Sequence, residues 1–216
     1  MGVSDPQGLL NMEFLPPEEK YEQLARIFYQ KGKPELRGNL PVRLLDSLLL
    51  RSMGLILGFG KKCPDAEDEY RRLTDNFKRL GKMAKPLGHL GAPGRWILGV
   101  TFGAYGNLVV RQGISNVEPQ TDYIEASREY FKVADLYNFG MEICGKDGDR
   151  IAFKVAECPV GYVSGDDVGV CMATMEFDNK CIKGLGGQSI IKEVIPEGAP
   201  ACLIHIVPVG SDTPQD

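Results

Sequence analysis

The hydrophobic pattern changes period near Tyr137, and this change limits the fold more than any other feature of the chain. Upstream, apolar residues recur every three or four positions. Tyr70, Leu73, Phe77, Leu80 and Ala84 fall on one helical face, as do Tyr123, Ala126, Tyr130 and Val133. Downstream, residues 137–144 and 150–158 alternate apolar with polar, and Lys146-Asp147-Gly148-Asp149 between them is a hairpin signal. A helix is predicted over 167–183, ended by Leu185-Gly186-Gly187. Two more strands are predicted at 189–195 and 201–208, around the turn Pro196-Glu197-Gly198-Ala199-Pro200. A helical N-terminal half thus packs on a C-terminal antiparallel sheet, in the chain order strand, strand, helix, strand, strand. That is an α+β fold. The 216 residues are read as a single domain, with a mainly helical part at 16–136 and a sheet-plus-helix part at 137–208 that carries the site.

Within the helical half, Pro16-Pro17 opens a first helix with Glu18 and Glu19 in its first turn and a stripe of Tyr21, Leu24, Ala25 and Phe28. Residues 40–57 form a second helix, apolar nearly all round and therefore central. Asp65 caps a third. Residues 86–94 are rich in Gly and Pro and read as a linker. Residues 95–110 fit either a helix lining a cavity or a pair of short strands, and Trp96, Phe102 and Tyr105, with Tyr137 further on, are the candidate cavity aromatics. Residues 122–136 form a fourth helix.

Composition excludes several function classes. With 43% hydrophobic and 25% charged residues, the chain can bury a core. Its net charge of −4 comes without any basic block longer than a pair such as Lys61-Lys62, so nucleic acid is not an expected partner. The opening MGVSDPQG lacks the charged start and apolar run of a secretory leader. The most apolar stretch, 44–59, is interrupted by Asp46, Arg51 and glycines, so no membrane span is expected. The expected setting is cytoplasmic, with the six cysteines as reduced thiols. The same apolar stretch offers a face through which two copies could pair as a homodimer.

The candidate chemistry gathers between Glu157 and Asp178. Asp166 and Asp167 precede the predicted helix and can accept from its free N–H groups. Cys171 falls one turn in, where the positive end of the helix can lower a thiol pKa. Asp178 follows seven residues later, two turns on and on the same face, as a candidate general base. Cys158 precedes Pro159, which ends strand pairing and leaves the thiol at a strand end. Cys202 opens the last strand and can point back toward either thiol. Free cysteines also commonly pack in cores, and that reading is preferred for Cys63, Cys144 and Cys181. His89 and His205, the only histidines, would have to approach a nucleophile to take part. Trp96 and Tyr105 are candidate substrate contacts, and Arg95 or Arg111 could hold a substrate carboxylate. No cofactor is expected. Zinc would require Cys158, Cys171, Asp178 and Cys202 to converge.

Glu157-Cys158-Pro159, the Cys171/Asp178 pair and Glu197-Gly198-Ala199-Pro200-Ala201-Cys202 resemble the L-2-amino-thiazoline-4-carboxylic acid hydrolase family, mainly over residues 150–206. The resemblance implies hydrolytic opening of a C–N bond in a small cyclic amidine or related heterocycle that carries a carboxylate. It implies Cys158, Cys171, Asp178 and Cys202 as site residues. The chain departs from the family around Cys202, which is flanked by Pro200-Ala201 and Leu203-Ile204 in place of an acidic residue and an aromatic. The same C-terminal order is similar to ligand-binding domains of the four-vinyl-reductase type. That likeness implies a non-catalytic domain for a small hydrophobic molecule, often with zinc. Glu193 matches their pattern; Pro196 stands near the position of their additional cysteine.

Overall fold

The computed structural model describes residues 36–56 and 66–211, with Pro16, Glu19, Lys20 and Gln23 from the preceding stretch. Of the helix expected from Pro17 through Phe28 only Glu19, Lys20 and Gln23 are described, all three helical; the Asp65 cap and Cys63 lie outside the described residues. The described chain runs α1 (Leu40–Ile56), α2 (Ala66–Gly88), α3 (Ala92–Gln112), α4 (Tyr123–Leu136), β1 (Met141–Asp147), β2 (Arg150–Val155), α5 (Val168–Thr174), α6 (Glu176–Leu185), β3 (Gly187–Glu193) and β4 (Cys202–Pro208). It is an α+β fold with helices mainly in the N-terminal half and an antiparallel sheet in the C-terminal half. Among the described residues no helix is long and apolar enough to cross a membrane.

The sheet has the spatial order β1-β2-β4-β3, and each neighbouring pair is antiparallel. The α5–α6 crossover therefore carries the chain past the β4 position to the far edge, and a hairpin returns β4 to the centre. Alternation along β2 and β4 turns Ile151, Phe153, Val155, Cys202, Ile204 and Ile206 into the core. Val155 lies between Met141 on β1 and Cys202 on β4, forming one cross-strand row. α4 covers part of this face: Asp122 caps it by accepting from the Ile124 N–H at 2.8 Å, and Tyr130 and Phe131 pack on Phe153.

Two local expectations are corrected, and one left open between helix and strands is decided. The 86–94 stretch is not a linker. α2 continues through Pro86 to Gly88, and after a short turn α3 begins at Ala92. Pro86 sits in the last turn, where its lost N–H interrupts the helix only briefly, and Pro93 suits the first turn of α3. The 95–110 stretch is helical throughout. The helix expected over 167–183 is two helices that meet at Met175 (φ −61°, ψ −11°). There the Thr174 hydroxyl donates to the Cys171 carbonyl at 2.9 Å, and the Met175 N–H donates to the same oxygen at 2.9 Å. A side chain competing for a helical carbonyl favours such a bend.

α3 packs along α6 at a distance that only glycine permits. A Cβ on Gly106 would lie 2.3 Å from the Phe177 carbonyl oxygen and 3.1 Å from the Cys181 nitrogen. α2 grips the β2–α5 loop in the same way, because a Cβ on Gly81 would lie 1.9 Å from the Val160 carbonyl oxygen. Lys85 on α2 secures that loop further, donating to Asp167 at 2.9 Å and lying over the Tyr162 ring at 5.7 Å.

Candidate functional site

The two close approaches leave a cavity between the helices and the inner face of the sheet. Met141, Val155, Cys202 and Ile204 form its sheet wall. Phe77 and Leu80 from α2, Phe102 from α3 and Met53 from α1 form its helical wall. Tyr137, Phe139 and Phe177 close it in an aromatic cluster with Phe77, with ring centroids 5.1 to 6.3 Å apart.

Cys158, Cys171, Asp178 and Cys202 all line this one cavity. Cys158 arrives on the loop that follows β2, and its Sγ accepts the Tyr162 N–H at 3.3 Å. Cys202 opens β4, and its Sγ accepts the Ile195 N–H at 3.4 Å. Cys171 projects from α5 and is only 4% exposed. Asp178 lies in the first turn of α6, and its Oδ1 accepts from the Tyr130 hydroxyl at 2.7 Å. Asp178 is half-buried and lines the cavity.

The electrostatics differ from a primed thiolate site. Burial pushes the Cys171 thiol up to about 12, and Cys158, Cys202, Asp178 and Glu197 add to the effect. The helix start expected to lower it does not prevail, because α5 is only seven residues long and Cys171 is buried inside it. Asp167 does not cap α5 either. It turns back to accept from Ser164 and Val163. Burial also raises Cys202, against the Ile195 N–H. Asp178 is pushed up to about 6 by burial, against the hydrogen bond from Tyr130. Among the described residues, no hydrogen bond joins a cysteine thiol to Asp178 or to a histidine.

Other predicted contacts fall elsewhere. Trp96 is 70% exposed on the outer side of α3, and Tyr105 turns toward α1, its hydroxyl 2.6 Å from that of Ser52. Neither lines the cavity; Phe102 is the α3 aromatic that does. Arg111 is paired with Asp46 on α1, with Nε 2.9 Å from Oδ2, and Arg95 stands in a separate surface depression with His89 and Asp166. His205 lies in β4 away from the cavity, and His89 sits 3.9 Å from Asp167. Cys181 is buried, whereas Cys144 is exposed on β1, so packing does not account for it. Among the described residues, no three Cys, His, Asp or Glu side chains are grouped to hold a metal ion. Tyr137 and Phe102, two of the expected cavity aromatics, do line the cavity, whereas Phe77, Phe139, Phe177 and Tyr130 were not anticipated as site residues. Phe77 and Tyr130 carried a core signal only, and Phe139 was read as part of an alternating strand from residue 137, whereas the strand begins at Met141.

In comparisons with protein-family models, curated proteins and solved structures, nothing matches the chain.

Proposed function

We propose that this protein is a small-ligand-binding domain whose cavity takes an apolar molecule without transforming it. The observation that carries this reading is the cavity wall, which is built from aromatic and aliphatic side chains with only a few polar atoms among them. Two of its three thiols have pKa values raised by burial, and no histidine stands beside any of them among the described residues. The reading agrees with the likeness to four-vinyl-reductase-type domains and with a cytoplasmic setting in which the thiols stay reduced. The test is titration with the neutral dye Nile red. Binding near one dye per chain is expected, and Val155→Phe, which fills the centre of the sheet wall, should weaken it by about tenfold or more. Equal binding to both proteins would place the dye on the exposed leucines of α1 and sink the reading.

A second reading, a cysteine hydrolase acting on a C–N bond of a small heterocycle, is favoured by one observation: three thiols and Asp178 share the cavity. Cys158 is its best nucleophile, being half-buried with a backbone N–H directed at its sulfur. Under this reading iodoacetamide at neutral pH modifies Cys158 faster than the exposed Cys144, as followed by peptide mass spectrometry. A slower Cys158 removes the nucleophile.

A further inference from the structure

The polarity of the cavity is one-sided. Among the described residues that line it, Asp178 is the only charged side chain, and no Lys, Arg or His is present. Asp178 Oδ1 is engaged by Tyr130, and no basic side chain among the described residues pairs with the carboxyl. An unpaired carboxyl against an apolar wall is a costly arrangement that a ligand can relieve. A cationic nitrogen or N–H group brought to Asp178 would gain a charge-assisted hydrogen bond inside a poorly solvated space. A ligand carboxylate would meet a like charge with nothing to neutralise it. The flat faces of Phe139, Phe177 and Tyr137 suit a planar body.

We infer that the cavity selects planar apolar molecules bearing one basic nitrogen or N–H donor, which meets Asp178, and rejects their carboxylate counterparts. This rests on the binding reading above. It runs opposite to the carboxylate-bearing substrate that the hydrolase resemblance implies. The groups that face Asp178 are Tyr130 from α4, Cys181 from its own helix, Cys171 from α5, Cys202 from β4 and Cys158 from the β2–α5 loop. Tyr130, Cys181, Cys171 and Cys202 are all raised and keep their protons through neutral pH. Asp178, raised to about 6, is the one carboxyl among the described residues that line this wall.

The test uses three probes with one ring system: 1-naphthylmethylamine, 1-naphthalenemethanol and 1-naphthoic acid, each displacing Nile red. At pH 8 the amine should bind about tenfold or more tightly than the alcohol, and the acid more weakly than the alcohol. The preference for amine should shrink at pH 5 and vanish in Asp178→Asn. An acid that competes as well as the amine at pH 8, or an amine preference retained in Asp178→Asn, overturns the inference and leaves the cavity reading standing. Failure of Nile red to bind the unaltered protein overturns both.

Discussion

A carboxyl set among Phe177, Tyr130 and Cys181 weakens the fold whenever it is ionised. Asp178 has its folded pKa raised from 3.8 to about 6, with burial as the main cause. Between those two values the native state holds the proton more tightly than the unfolded chain. Stability therefore falls as pH rises through this window, and above it the full penalty is present. A shift of this size corresponds to about 3 kcal/mol. Asn keeps an acceptor for the Tyr130 hydroxyl and carries no charge. Asp178→Asn should thus be more stable than the parent by up to about 3 kcal/mol in urea unfolding at pH 8, with the gain disappearing near pH 4. A variant that is less stable at pH 8 would mean that the carboxylate has an ionic partner. At this scale the sequence was informative about which polar residues meet. A cysteine before proline at a strand end, and a cysteine and an aspartate two turns apart, each have few places to point. The ionisation of those residues was not legible, because depth of burial depends on distant elements. The local argument for a lowered Cys171 pKa failed for that reason.

At the scale of elements, the α3–α6 contact positions both Phe177 and Asp178. Gly106 and Gly99 lie on the same helix, yet their surroundings predict opposite responses to alanine. At Gly106 the added Cβ meets the backbone of α6 at 2.3 Å, so α3 must move away. At Gly99 the nearest atom is Cγ of Glu176 at 3.6 Å, an ordinary contact. Gly106→Ala should cost about 1–3 kcal/mol through overpacking, less the helix preference of alanine, and should weaken Nile red binding. Gly99→Ala should leave dye binding unchanged and raise stability by up to about 1 kcal/mol, read from the unfolding midpoint. If both variants behave alike, the close crossing does not shape the cavity. α3 also shows why its aromatics were misplaced from sequence. Glycines and apolar residues are spread around the helix with no polar face, so periodicity gives no inward direction. α2 and α4 each carry a clear stripe, and their buried faces were legible, as was the β1–β2 hairpin with its Asp147/Arg150 closing pair. The bend at Met175 depends on a single Thr174 hydroxyl bond, which no hydrophobic pattern encodes.

Across the whole molecule, the cavity wall contributed by α1 is held by an ion pair far from the ligand space. Asp46 is fully buried on α1 and is bound by Arg111 and Gln112 at the C-terminal end of α3. The sequence marks Asp46 only as an interruption in an apolar stretch and Arg111 only as a free cation. Their pairing follows from the way α1 lies against α3, which no local pattern specifies. The two partners are unequally exposed, since the Arg111 side chain is 38% accessible and that of Asp46 is 0%. Removing the arginine therefore strands a buried carboxylate, whereas removing the aspartate leaves a guanidinium that water can reach. Arg111→Leu should lose about 3 kcal/mol or more in urea unfolding at pH 7.5, and Asp46→Leu clearly less. The double variant should recover much of the Arg111→Leu loss, because the stranded charge is gone. Met53 is two turns of α1 beyond Asp46 and reaches the cavity, so Nile red affinity should follow the same order, weakest in Arg111→Leu and partly restored in the double variant. Additive losses in the double variant would show that the pair acts through separate contacts, and unchanged dye binding would mean that α1 is not a working wall of the site.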